Sequence, residues 1–306
     1  MSTRGFWDIQ EQYHAIHSGV WPVADTEYFQ TTGWFGGGDS PATSVIDRLN
    51  FSAETVAVSP AKLSSARSNL AATSGNGFGW FAGGGSPTTS VIDRLNFSTE
   101  TLAVSPARLS VARGNLAATS GNGFGWFGGG SPATSVIDRL NFSAETLAVS
   151  PARLSVARGY IAATSGNGFG WFGGGSASFP TALATMDRLS FVGETTIVSP
   201  ASLPAARFRH AGTSSGNGFG WFAGGQSGGA VFSNIYKLSF SNETMITSPA
   251  MLSSARNSLS AVSGDGFGWF DNNFNPVNKL NFATEILSIS TAVAGRFSGA
   301  ATASIT

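Results

Sequence analysis

Between residues 115 and 150 the hydrophobic positions fall into four short runs, each closed by turn-forming residues. Asn115 to Ser120 (Asn-Leu-Ala-Ala-Thr-Ser) predicts a first strand. Gly121-Asn122-Gly123-Phe124-Gly125 predicts a loop, because its glycines can take positive φ. Trp126-Phe127 predicts a second strand, stopped by Gly128-Gly129-Gly130. Ser135 to Phe142, with β-branched Val136 and Ile137, predicts a third, and Thr146 to Ser150 a fourth that Pro151 stops. No ten-residue amphipathic helix lies between them, and the strands are too short for a large sandwich.

The pattern repeats along nearly the whole chain. Gly-Trp-Phe occurs six times, with its Trp at Trp34, Trp80, Trp126, Trp171, Trp221 and Trp269, spaced by 46, 46, 45, 50 and 48 residues. Residues 31 to 306 amount to six times 46. The second and third units are near-copies: Ser-Pro-Ala-Arg-Leu-Ser-Val-Ala-Arg ends both at Arg113 and at Arg158. A period of roughly 40 to 50 with four strands per unit is the signature of propeller blades. The expected fold is therefore all-β, a six-bladed β-propeller over residues 31–306, preceded by a non-repeating segment over residues 1–30.

The phase of the repeats bears on closure. The first unit begins at its second strand, Gly33-Trp34-Phe35, and the chain ends on Arg296-Phe297-Ser298-Gly299-Ala300-Ala301-Thr302, a first strand without a blade of its own. Placing that strand in blade one closes the ring and hides two sheet edges. The rival source of the missing strand is Tyr28-Phe29-Gln30.

These repeats resemble the kelch family. Its glycine doublet is matched at Gly36-Gly37, Gly83-Gly84, Gly128-Gly129, Gly173-Gly174 and Gly224-Gly225, and its junction arginine at Arg67, Arg113, Arg158, Arg207, Arg256 and Arg296. Two departures stand out. Leu147-Ala148-Val149 occupies the fourth strand where the family carries Trp, and the sixth unit reads Trp269-Phe270-Asp271-Asn272-Asn273 without a doublet. The resemblance implies the fold and says little about function.

Residues 1–30 read differently. Phe6, Ile9, Tyr13, Ile16 and Val20 form an apolar helical seam, with Ser2 or Thr3 as a cap and Gly19 and Pro22 at the end. Two heptads are too short for a stable isolated helix, so the seam must dock on something. With Trp7 and Trp21 these residues form the expected attachment segment. The strings Trp7-Asp8-Ile9-Gln10-Glu11-Gln12-Tyr13 and Gly19-Val20-Trp21-Pro22 resemble N-terminal segments of structural proteins of tailed, especially marine, bacteriophages. That resemblance implies a virion location and other virion proteins as partners.

Composition narrows the chemistry. Charged residues are only 11% of the chain, against about a quarter in average globular proteins. Ser, Thr, Asn and Gly must then finish the surface. Net charge is zero and no basic tract occurs, which argues against nucleic acid as a partner. The chain has no Cys, no apolar run long enough to insert in a membrane and no secretory h-region at its start. The absence of Cys also excludes the cysteine-modified tyrosine of kelch-type copper oxidases. His14 and His17 could share a helical face, but without a nearby carboxylate they make a poor metal site. No cofactor is expected.

Repeated carboxylates read as structure. Asp47, Asp93, Asp138 and Asp187 share one position, and Glu54, Glu100, Glu145, Glu194, Glu243 and Glu285 share another. A glycosidase would use a pair of carboxylates at one place on the axis. Six equivalent glutamates are expected instead to hydrogen-bond at turns or to pair with the repeated arginines. No catalytic residue is assigned.

Candidate binding residues are those that break the repeat. They are Phe179 in a lengthened loop, Phe208, Arg209 and His210 at a junction, Gln226 and Phe232 in the fifth unit, and Asp271, Asn273 and Phe274 in the sixth. Strand counting puts their loops on one rim of blades four to six. Aromatic rings with amides suit a sugar or a polar protein surface. The reading that follows is a non-enzymatic phage virion component, oligomeric in the particle. Its propeller would be displayed on a tail fibre or particle surface for recognition of a host glycan or protein, or for decoration. The alternative is a cytoplasmic kelch-type adaptor.

Overall fold

A computed structural model of the chain describes residues 31–39, 41–271, 276–292 and 300–304. They form six four-stranded antiparallel sheets, one per repeat, and among them there is no helix. The proposed helix over residues 1–30, with Phe6, Trp7, Ile9, Tyr13, Ile16, Val20 and Trp21, lies outside the described residues, as do Asn273 and Phe274. In blade three the strands are Ala117–Gly121, Phe124–Gly128, Val136–Asn141 and Thr146–Arg153, running from the axis outward. Blade one draws its inner strand, Ala300–Ser304, from the far end of the chain, and that strand pairs antiparallel with Thr32–Gly36.

Two strand boundaries differ from the sequence reading. The stretch from Gly121 to Gly125 is mostly strand: its turn is only Asn122-Gly123, both at positive φ (55° and 80°), the two-residue hairpin that Asn-Gly favours. Gly125 is thus a strand residue, and its equivalent Gly79 shows why. A Cβ there would meet the Phe97 ring and the Thr302 methyl at 2.9 Å. The fourth strand does not stop at Pro151 but runs on to Arg153 past a bulge. It is the outermost strand of its sheet, where a missing N–H costs no ladder bond.

The blades are fastened by three repeated contacts. The Trp of each blade stacks on a Phe of the next: Trp34 on Phe97, Trp80 on Phe142, Trp126 on Phe191, Trp171 on Phe240, Trp221 on Phe282 and, closing the ring, Trp269 on Phe51. Centroids lie 5.5–5.8 Å apart with planes 20–26° apart, worth about 0.5–1.5 kcal/mol per pair beyond area burial. The six glutamates form a second ring. Each accepts from a cation of the preceding blade: Arg48 to Glu100, Arg94 to Glu145, Arg139 to Glu194, Arg188 to Glu243, Lys237 to Glu285 and Lys279 to Glu54. Each also accepts from a serine hydroxyl of that blade, as Ser105 gives to Glu145 and Ser290 to Glu54. All six glutamates sit at φ between 47° and 55°, an uncommon backbone state for Glu that recurs because the side chain must reach across the blade boundary. Hydrogen bonds from Lys279 and Ser290 hold the Glu54 carboxyl below its ordinary pKa. These pairs are partly exposed, so each contributes at most about 1 kcal/mol.

The third contact is buried. Arg67, Arg113 and Arg158 pair with Asp93, Asp138 and Asp187 at 2.8, 3.0 and 3.0 Å, all at 1% side-chain exposure or less. The same carboxylates accept the backbone N–H of Ser64, Ser110 and Ser155. Burial pushes each guanidinium pKa down and the adjacent Asp pushes it back up. At the junction of blades five and six the aspartate is replaced by Asn278, which keeps the backbone bond, from Ser253 N–H at 2.7 Å, but brings no charge. Arg256 donates to Ser253, Ser254 and the Pro276 carbonyl, and the charge of buried Asp271 raises its pKa against the larger, opposite effect of burial. Asp271→Asn is therefore expected to leave Arg256 with neutral acceptors only and to lower stability in urea unfolding by about 1–3 kcal/mol. Adding Asn278→Asp should return most of that loss. A single variant that unfolds at the wild-type urea midpoint would show that Asp271 is not the counter-charge.

Candidate recognition surface

The chain passes from one blade to the next through a residue in the left-handed region. Asn69, Asn115, Tyr160, Arg209 and Ser258 all have φ between 53° and 58°. Their backbones are joined around the axis: Asn115 N–H donates to Asn69 O at 2.7 Å, Tyr160 to Asn115 at 2.7 Å, Arg209 to Tyr160 at 3.0 Å and Ser258 to Arg209 at 2.8 Å. The sixth place falls on Ser298, outside the described residues. This belt frames one mouth of the central channel and presents two Asn, a Tyr, an Arg and a Ser around a small cavity of about 80 Å³. Beneath it lie Leu70, Leu116, Ile161, His210 and Leu259, an apolar layer interrupted once.

The loops between second and third strands lie beside this belt. Gly114 bridges Ser131, Gly159 bridges Ser176 and Phe208 bridges Gln226. In blades four and five those loops extend into small hairpins, Ser176–Ser178 with Thr181–Ala182 and Gln226–Ser227 with Ala230–Val231. The first carries Phe179, 54% exposed, over the junction to blade five. There Phe179 meets Tyr160 at 5.6 Å and Phe208 at 5.3 Å between ring centroids. The Arg209 guanidinium lies 5.1 Å from the Tyr160 ring, 5.4 Å from Phe179 and 6.0 Å from Phe208.

The candidates divide on this geometry. Phe179 and half-buried Arg209 share one accessible patch. Phe208, at 1% exposure, is its floor rather than a contact surface. Gln226 is half-buried and its side-chain oxygen is engaged by Asn257. Three candidates are structural. Phe232 lies 4.7 Å from the Arg207 guanidinium, which here faces Tyr236 where blades one to four have aspartate. Asp271 is buried against Arg256. His210 is buried above Gly174, where blades two, three and six have Leu. Burial and the nearby Arg207 push the His210 pKa down to about 3, against a smaller opposing effect of the Gly173 carbonyl. Tyr160 was missed. Its signal was a bulky ring where the two preceding junctions put Asn69 and Asn115.

The channel itself offers little chemistry. Its wall is Ala, Thr, Ser, Gly and Val from the inner strands, around about 230 Å³. Among the described residues no three His, Asp or Glu side chains converge to hold a metal ion. The repeated glutamates are committed to the blade boundaries and Asp93, Asp138 and Asp187 to buried arginines. No helix among the described residues is long and apolar enough to cross a membrane. No protein-family model matches the chain, and no curated protein is significantly similar to it.

Proposed function

We propose that this chain is a non-catalytic recognition module, a kelch-like propeller displayed on a phage particle, which contacts a polar, glycan-type surface through Tyr160, Phe179 and Arg209. The patch where two rings and a guanidinium gather at one channel mouth carries the reading, because the near-copied blades two and three have Asn69 and Asn115 in the corresponding belt positions. Aromatic faces supply stacking area, and a guanidinium held flat against them donates in a fixed fork. Orientation supports display. The chain enters the propeller at Thr31, on the end that carries the first-to-second and third-to-fourth turns, and the patch lies on the opposite end. A segment attached to a particle at Thr31 would leave the patch facing outward.

Tyr160→Ala with Phe179→Ala is expected to weaken attachment to host-surface glycans by about tenfold to a hundredfold, the scale of losing interface anchors worth roughly 1–3 kcal/mol. The melting temperature should stay within a few degrees, and Ser131→Ala in the copied loop of blade three should change neither quantity. Equal loss in variant and control would point to a symmetric surface, and no attachment by the wild type would remove the receptor reading. A mass-spectrometric inventory of purified particles tests the location. Absence from the particles would leave the cellular adaptor.

A further inference from the structure

We infer that the groove between blades one and two is the seat of the chain's own residues Tyr28 and Phe29. In five blades the second strand opens on a Phe that covers a cation of the third strand. Phe78 lies 4.6 Å from Arg94, Phe124 4.7 Å from Arg139, Phe169 4.5 Å from Arg188, Phe219 4.2 Å from Lys237 and Phe267 3.9 Å from Lys279. The same rings pack at an angle on their own blade's Trp, as Phe78 does on Trp80 and Phe124 on Trp126. In blade one the position is Thr32. Arg48 is left 44% exposed, against 15–29% for its five equivalents. A cavity of about 490 Å³ opens there, lined by Trp34, Arg48, Phe78, Phe97 and Glu100, and by Thr31 itself.

Thirty residues of chain lie before Thr31, and an adjacent pair of aromatic rings stands two and three positions upstream of it. A ring tethered that closely is held at a high effective concentration, and the loop it must close is short. Charge favours the same occupant. Residues 1–30 carry one Arg against Asp8, Glu11, Asp25 and Glu27, and the latter two flank the ring pair on the side away from Thr31. Arg48 is the most exposed cation of its ring. Blade one lost its hairpin because its inner strand comes from the other end of the chain. The upstream rings restore in trans to the strand what the hairpin Phe supplies in the other five blades.

The chain contains no Cys, so two introduced thiols are the only ones present. In the full chain, Glu27→Cys with Ser98→Cys should give a within-chain product with a short bis-maleimide, and urea should abolish it. Glu27→Cys with Ser143→Cys, the equivalent place one groove further on, should give at least tenfold less. Adding Tyr28→Ser with Phe29→Ser to the first pair should drop its yield to the control level and lower the melting temperature by a few degrees. Equal yield in both grooves, a yield indifferent to loss of the rings, or a product mainly between two chains would each overturn the inference. The last would assign the groove to a second copy. None of these readouts depends on glycan binding, so failure here leaves the recognition patch untouched.

Discussion

Deletion of residues 300–306 is expected to yield a chain that aggregates instead of melting as a soluble propeller. Among the described residues, the strand Ala300–Ser304 makes the one strand pairing that joins the two ends of the ring, with five residues in register from Thr32↔Ser304 to Gly36↔Ala300. Its loss exposes the inner edge of Thr32–Gly36, which carries the buried apolar Trp34 and Phe35. The damage extends to both neighbours. Thr302 packs its methyl over Gly79 of blade two, and Ala300 belongs to the cluster around Trp34, Leu70 and Phe81. The Trp269–Phe51 stack, the Lys279 and Ser290 bonds to Glu54 and the packing of Phe35, Leu49 and Phe51 on Val262, Val277 and Ala292 then remain across the seam. None of them covers the exposed edge, through which the open ring is expected to self-associate. Size-exclusion chromatography and calorimetry check this. A deletion variant that elutes as a monomer and melts like the full chain would show that the ring is closed by something other than this strand.

The propeller was legible because its evidence is redundant. Six registered copies fix the strand count even where any one copy is ambiguous, as in blade six, which lacks the doublet. What failed was local. Gly-Asn-Gly-Phe-Gly has the composition of a loop, yet Gly79 and Gly125 are there because a Phe ring of their own blade and a Thr methyl of the preceding blade leave no room for a Cβ, a constraint visible only once the strands are assembled. The expectation that the repeated glutamates pair with repeated arginines was recoverable from sequence, since a charge repeated in every blade with an oppositely charged repeat has few other uses in a chain so poor in charge. The structure adds that the pairing runs between blades and that Lys237 and Lys279 take the last two places.

The proposed recognition patch was legible only in part, for a physical reason. A departure from the repeat can serve a ligand or can repair another departure, and sequence does not separate the two. Asp271 looked like a rim carboxylate but compensates for Asn278 one strand away. Phe232 looked like a stacking platform but, with Tyr236, covers an arginine that has lost its aspartate. Both repairs act across a buried Arg, so blade five answers a missing charge with aromatic faces and blade six with a relocated carboxylate. A departure that replaces a contact removed by another departure is a compensation. Tyr160, Phe179 and Arg209 compensate for nothing in the blades they occupy, and that distinguishes them as the surface a ligand could use.

His210→Leu is expected to remove much of the protein's sensitivity to acid while changing little at neutral pH. His210 stands in a layer of Leu70, Leu116, Ile161 and Leu259, is 4% exposed, and has its pKa pushed from an ordinary 6.5 to about 3 by burial first and Arg207 second. A base with a depressed folded pKa binds fewer protons than it does unfolded. Between about pH 6.5 and 3 the unfolded chain gains the proton and the folded chain does not, so stability falls as pH falls. Each unit of that window costs about 1.4 kcal/mol, reaching on the order of 4–5 kcal/mol at its acid end. Above the window the group contributes nothing, and Leu at this position already fits the same setting over the glycine doublet in three other blades. Carboxylates such as Glu54, whose folded pKa is lowered, also lose stability in acid, but they do so equally in wild type and variant. The difference between the two chains isolates the histidine. Urea unfolding at pH 7.5, 5.5 and 4 should give nearly equal free energies at the first, a gap of about 1 kcal/mol at the second and about 3 kcal/mol at the third. Parallel curves across all three would mean that His210 titrates normally in the folded ring, and that the space above Gly174 admits a charged imidazole beside Arg207.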